Sequence, residues 1–149
     1  MKTLIVYDSV YGNTEKIATA IRNAIVGGAK ALRISVLTPE ELKTADILIV
    51  GSPTHGGKPT QAIQDFLDKA LAPTINGKKV AAFDTRVSGK LTGLFGYAAD
   101  RIANGLAAKE GTLISPPVGF IVTGKEGPLK EGELERAVSW ARSLPGGTQ

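Results

Sequence analysis

Short apolar runs alternate along this chain with stretches of helical period, and that alternation carries most of the fold. Thr3-Leu4-Ile5-Val6-Tyr7 is nearly all apolar, the pattern of a strand buried on both faces, and predicts a strand over residues 2–8. After it, Ile17, Ala20, Ile21, Ala24 and Ile25 recur at helical spacing, predicting a helix over 13–26 that Gly27-Gly28 closes. Leu32, Ile34 and Val36 alternate, predicting a second strand over 31–37. Thr38-Pro39-Glu40-Glu41 combines a cap, a proline at the first helical position and a capping-box glutamate, so a short helix begins there. Asp46-Ile47-Leu48-Ile49-Val50 reads as a third buried strand. Ala62, Ile63, Phe66, Leu67 and Ala70 share one face of a helix over 60–71. A fourth strand is expected at 79–84 and a helix at 94–108, despite Gly105. The fifth strand falls within 112–122, where Pro116-Pro117 ends or bends its first part, and the last helix spans 131–143.

Strands alternating with helices predict an α/β fold with a mainly parallel sheet. Five strands fit a doubly wound sheet of order 2-1-3-4-5 with helices on both faces, residues 1–149 forming one domain. Strands 1 and 3 then flank the switch point, and the loops behind them share one crevice. The loop after strand 3 reads Gly51-Ser52-Pro53-Thr54-His55-Gly56-Gly57-Lys58-Pro59. The loop after strand 4 reads Thr85-Arg86-Val87-Ser88-Gly89-Lys90-Leu91-Thr92-Gly93. Both are glycine-rich and lie at carboxyl ends of strands, where such sheets bind ligands.

The hinge between strand 1 and its helix is Asp8-Ser9-Val10-Tyr11-Gly12-Asn13-Thr14. It offers hydroxyls at Ser9, Tyr11 and Thr14, an amide at Asn13 and a glycine at the amino end of a helix, where free N–H groups and the helix dipole suit a phosphate. No Lys or Arg lies between Ser9 and Thr14, so neutral donors would hold that phosphate. The loop lacks the Gly-Lys-Ser/Thr ending of a nucleoside-triphosphate loop and the Gly-x-Gly-x-x-Gly of a dinucleotide fingerprint.

Composition narrows the chemistry. Among 149 residues there is no cysteine and one histidine, which excludes disulfides, thiolate catalysis, iron–sulfur clusters and a multi-histidine metal site. The net charge of +4 is spread along the chain without a Lys/Arg run, so nucleic acid is not an expected partner. No apolar run approaches a membrane span, and the N-terminus enters a strand without a leader pattern, so the expected compartment is the cytoplasm. A phospho-receiver reading of the same fold needs an aspartate at the end of strand 3, where Gly51-Ser52 stand.

The pattern Ser9-x-Tyr11-Gly12-Asn13-Thr14 resembles the phosphate loop of the flavodoxin family, and the resemblance extends over the whole chain in its short-chain form. Glu126-Gly127-Pro128-Leu129-Lys130-Glu131-Gly132-Glu133 is similar to the lead into the last helix of several such proteins. The resemblance implies FMN as cofactor and electron transfer between redox partner proteins as function. It implies that Ser9, Val10, Tyr11, Gly12, Asn13 and Thr14 hold the phosphate. Pro53, Thr54, His55, Gly56 and Gly57 would meet the dimethylbenzene ring and N5, and Thr85, Arg86, Gly89 and Gly93 the pyrimidine edge. A monomer or weak dimer is implied, with no membrane association. A rival of similar fold is an NAD(P)H-dependent FMN or quinone reductase, although no nicotinamide-binding segment is evident.

Two departures stand out. Many flavodoxins stack Trp or Tyr on the flavin, whereas His55 is the only ring in the second loop and the third has none before Phe95 and Tyr97. Typical flavodoxins are acidic; here Lys58, Arg86 and Lys90 fall in the flavin loops, which predicts an acidic partner and a less negative potential for the second electron. Three features keep two readings. Gly56-Gly57 is a plain turn or a peptide free to flip, His55 a flavin contact or a solvated histidine, and Asp84 a site residue or a turn cap. Tyr7 and Trp140 are expected in the core.

Overall fold

The computed structural model describes residues 1–70, 72–88 and 96–145. The chain runs β1 (Thr3–Tyr7), α1 (Asn13–Ala24), β2 (Ala29–Arg33), a 3-10 turn (Ile34–Val36), α2 (Pro39–Thr44), β3 (Ile47–Pro53), α3 (Gln61–Lys69), α4 (Ala72–Ile75), β4 (Lys79–Val87), α5 (Ala98–Ala108), β5 (Thr112–Leu113), β6 (Val118–Val122) and α6 (Glu133–Ser143). All strand pairs in the sheet are parallel, in the order β2-β1-β3-β4-β5, with β6 also on β4. This is the doubly wound order expected from the alternation of strands and helices, with the fifth position shared by β5 and β6.

Alternate residues of the buried strands feed two cores. Ile5, Ile49, Ala81, Phe83 and Phe120 face α1 and α6, meeting Ile17, Ile21, Ala137 and Ala141. Leu4, Val6, Leu48, Val50, Val80 and Ala82 face the other way, onto Leu42, Ile63, Ile75, Ile102 and Leu106. Phe83, Phe120 and Trp140 meet edge to face at 6.2 Å, so Trp140 packs against the sheet as expected, its Nε1–H donating to Ser115 Oγ at 3.0 Å. Gly51 lies across from Phe83 in register, and a Cβ there would clash with the phenyl ring, 2.1 Å from its Cζ.

Several element ends differ from the sequence expectation. β2 stops at Arg33, because the chain must leave the sheet edge to reach α2; Ile34 and Leu37 pack on the second core while Val36 is exposed. β3 runs on to Pro53 and β4 to Val87, since Ser52-Pro53 pair with Asp84-Thr85 and Arg86-Val87 pair with Ile121-Val122. Thr85 and Arg86 are therefore strand residues rather than loop residues. The helix expected from 94 begins at Ala98, because Gly96 takes a positive φ of 84° and Tyr97 is extended. Pro116-Pro117 separate β5 from β6, as their missing amide hydrogens require.

Candidate functional site

β1 ends at Tyr7 and the chain turns through Gly12, which takes the left-handed φ of 92° that only glycine adopts cheaply, into α1. Gly12, the N-cap of α1, has no side chain to cap it. Ser9 Oγ accepts from the amides of Gly12 at 3.1 Å and Glu15 at 3.4 Å, which leaves its own O–H to donate. Among the described residues, the amides of Val10, Tyr11, Asn13 and Thr14 have no acceptor. A concave row of free amides at a helix head is an anion cradle.

Two residues brace this loop from behind. Arg33, opposite Tyr7 in the β1–β2 register, donates from Nη1 to the Ser9 carbonyl at 2.8 Å. It also pairs with Asp8 at 3.6 Å and Glu15 at 3.4 Å, so its charge is balanced locally. Glu15 accepts from the Tyr7 hydroxyl at 3.1 Å; burial first, then that carboxylate, pushes the Tyr7 phenol above its ordinary range. Asp8 accepts from the Ser9 amide at 2.9 Å and from the Thr60 hydroxyl at 2.6 Å, joining the first loop to the cap of α3.

The second loop folds as a two-residue hairpin. His55 and Lys58 exchange backbone hydrogen bonds of 2.9 and 3.1 Å, with Gly56 and Gly57 both at positive φ, 58° and 79°. His55 and Gly56 are exposed at its tip. The hairpin is tied to its neighbours by the Thr54 amide on the Thr85 carbonyl at 2.9 Å and by the Ala98 amide on Thr54 Oγ1 at 3.1 Å. Thr85 in turn shares a buried hydroxyl contact of 2.8 Å with Thr14, which joins β4 to the head of α1.

Asp84 and Arg86 stand two apart on β4 and therefore on one face. Asp84 is fully buried and accepts both Nε and Nη2 of Arg86, at 2.8 and 2.9 Å, and the Ala99 amide at 2.9 Å. Burial pushes the Asp84 carboxyl above its ordinary value, against the opposing pull of Arg86 and the α5 amide. The guanidinium lies 3.5 Å from the Tyr97 ring centroid, and a Cβ on Gly119 would strike it from the other side. Asp84 is thus the cap of α5 as well as a site neighbour. Arg86 is not the free cation that its place in a flavin loop implied.

Of the residues singled out from sequence, Val10, Tyr11, Asn13, Thr14, Pro53, Thr54, His55, Thr85 and Arg86 line one crevice. Ser9 is buried beneath the first loop, Gly12 forms its turn, and Gly56-Gly57 form the hairpin tip. Gly89, Lys90 and Gly93 lie outside the described residues. Val87, from the loop after strand 4 named above, completes the lining together with Val122 and Lys125, which sequence reading had not placed there. Asn13 also differs from expectation. Its side-chain amide donates to the Glu126 carbonyl at 3.2 Å, so it fastens the loop after β6 and leaves phosphate contact to its backbone N–H. The rule that ligands sit at carboxyl strand ends applies to β6 too and was the available signal for Val122 and Lys125.

The donor set fits a phosphate monoester: four free amides, two hydroxyl groups and no carboxylate facing in from the lining residues. Exposed apolar surface on Val10 and Tyr11 beside it suits a flat aromatic group.

Comparison with known proteins agrees with this geometry. The flavodoxin family model matches residues 5–140. The flavodoxin of Aquifex aeolicus (strain VF5) is 33% identical over 95 residues, covering 56% of this chain and 49% of that protein. This chain spans half or less of the length of the first curated relatives it matches. An NAD(P)H dehydrogenase (quinone) of Geotalea daltonii (strain DSM 22248 / JCM 15807 / FRC-32) is 23% identical across 100% of this chain and 85% of its own. Among solved structures, a flavodoxin from the domain Archaea superposes with a TM-score of 0.79 at 26% identity, covering 95% of this chain and 94% of that one. A match over nearly the full length, on a sheet of this order with an anion cradle at its switch point, settles the family: the chain belongs to the flavodoxins, a family of FMN-binding proteins.

Proposed function

We propose that this protein is an electron carrier that holds FMN in the crevice at the carboxyl ends of the first, third and fourth strands and exchanges electrons with acidic partner proteins in the cytoplasm. The observation that carries the reading is the row of unpartnered amides at Val10, Tyr11, Asn13 and Thr14, opening into a crevice walled by Pro53, His55 and Thr85. FMN, when bound, supplies the one- and two-electron chemistry. The chain's own residues bind and orient it. The amides and the Ser9 hydroxyl take the phosphate, and the Thr14–Thr85 pair holds the crevice floor together and has one O–H left to donate. His55 and Gly56 would present the hairpin tip to the ring, and glycine on both sides of the Gly56–Gly57 peptide would let its carbonyl turn to accept a hydrogen bond from N5–H of the reduced flavin. Exposed Lys58 and the net charge of +4 favour an acidic partner.

The test is titration of apoprotein with FMN and with riboflavin, alongside the absorption spectrum of freshly purified protein. A flavin spectrum and a strong preference for FMN are expected, because riboflavin leaves the amides without their anion. Colourless protein that takes up neither flavin overturns the reading. A second reading, an NAD(P)H-dependent quinone reductase, is favoured by the full-length similarity to the Geotalea daltonii enzyme. Sustained NADPH oxidation with a quinone by the purified protein would establish it; electron exchange with a protein partner alone supports the carrier.

A further inference from the structure

The phosphate cradle contains no cation of its own, and Arg33 behind it is already balanced by Asp8 and Glu15. The loop that follows β6 changes this. Its base is closed by the Val122–Leu129 bridge and by the Thr123 amide on the Pro128 carbonyl at 2.8 Å. Its tip is closed by the Gly127 amide on the Gly124 carbonyl at 3.0 Å. The whole turn is seated on the first loop. Asn13 donates to Glu126, and Gly127, at φ 102°, lies so close that a Cβ would come within 2.7 Å of the Asn13 amide. Lys125 sits at the tip of this braced turn and lines the same crevice as Val10, Tyr11, Asn13 and Thr14. Its ammonium is exposed and has no hydrogen-bond or ion-pair partner among the described residues.

We propose that Lys125 is the cationic member of the phosphate site, reaching over the amide cradle from the loop after β6, and that it sets the preference for phosphorylated flavin. The proposal rests on the reading that the phosphate lies on residues 10–14. A compact ammonium on a flexible stem suits a dianion approached from solvent, and it acts as a point charge rather than a fork. The site would then combine preorganised neutral donors with one mobile charge. That combination predicts an FMN affinity that falls with salt, which neutral donors alone do not produce.

Four proteins decide it: wild type, Lys125→Gln, Lys125→Arg and Lys125→Glu, each titrated as apoprotein with FMN and with riboflavin at low and at physiological salt. Lys125→Gln should weaken FMN about three- to tenfold, the range of a partly exposed charge pair, and leave riboflavin unchanged. Lys125→Glu should weaken it further, Lys125→Arg should restore it, and the glutamine variant should lose most of the salt dependence. If wild type prefers FMN and Lys125→Gln keeps its FMN affinity within twofold, neutral donors alone hold the phosphate and the inference fails. Equal loss of both flavins shows a loop-positioning role and also overturns it. If wild type binds riboflavin as well as FMN, the placement of the phosphate on residues 10–14 fails, and the inference with it.

Discussion

Arg86→Ala should reveal how much of the site's frame hangs on one buried carboxylate. The substitution removes both guanidinium bonds to Asp84, which is fully buried and keeps the Ala99 amide at 2.9 Å as a partner. Removing one member of a buried ion pair costs about 3–5 kcal/mol, because a charge is left without its partner. The Arg86 side chain is 19% exposed, so some water reaches the vacated space, and the lower end of that range, about 3 kcal/mol, is the expected loss. Asp84→Asn keeps an acceptor for Ala99 and should cost only about 1–2 kcal/mol. Added to Arg86→Ala, it should recover about 1 kcal/mol, since a neutral amide needs no cation. The pH dependence has a definite sign. Burial holds the folded pKa of Asp84 above its ordinary 3.8, and loss of Arg86 raises it further. A raised folded pKa contributes stability that is present below the unfolded value and lost as pH rises through the folded one. The Arg86→Ala deficit is therefore largest at neutral pH and narrows as pH falls toward 3.8. Urea unfolding of the apoproteins at neutral and acid pH measures it without the linkage that bound flavin adds. A deficit under about 1 kcal/mol, or one that does not change with pH, would refute the ion-pair argument and mean that water solvates Asp84.

Glu133→Gln tests the other buried carboxylate, which accepts from Arg136 and from the Ile121 amide of the edge strand. Arg136 holds the Glu133 carboxyl below its ordinary 4.5, so the contribution of about 1–2 kcal/mol is present above that pH and lost as pH falls through the lower folded value; the two unfolding curves should converge in acid. Gly119→Ala drives a methyl into the Arg86 guanidinium and should cost at least as much as Arg86→Ala, read as a fall in melting temperature. Gly127→Ala sets a Cβ 2.7 Å from the Asn13 amide and should lift the loop that carries Lys125; FMN titration should show a loss that Lys125→Gln does not deepen.

The sheet was legible because its buried strands are continuous apolar runs. Ile47-Leu48-Ile49-Val50 has no other stable reading, and every residue of it is buried. The phosphate loop was legible because its signal is local: a strand, a glycine and a helix head within a few residues. Strand ends were harder, because Ser52-Pro53 and Thr85-Arg86 carry no apolar run; they are strand only because they pair with each other and with β6. Arg33 was invisible for a related reason, since it meets the Ser9 carbonyl through the β1–β2 register and not through any nearby motif.

Charge was the least legible property, and the reason is geometric. Sequence reading sees which loop a cation belongs to, but a cation acts on a ligand only when no nearer anion takes it. Arg86 stands two residues from Asp84. Once β4 is known to run to Val87, the period of two puts both side chains on one face, and the pair follows. The arginine expected to bias the flavin is therefore largely neutralised, its charge directed at the cap of α5. Lys125 is the opposite case. It lies far from the phosphate loop in sequence, just before the Glu126–Glu133 stretch, yet the Asn13–Glu126 bond carries it to the crevice with its charge unpaired among the described residues. A rise in flavin potential from nearby positive charge would then respond to Lys125 and Lys58 far more than to Arg86. Lys125→Gln should lower the potential of the second electron more than Arg86→Gln does, and potentiometric titration of the two FMN-loaded variants would show which cation the flavin feels.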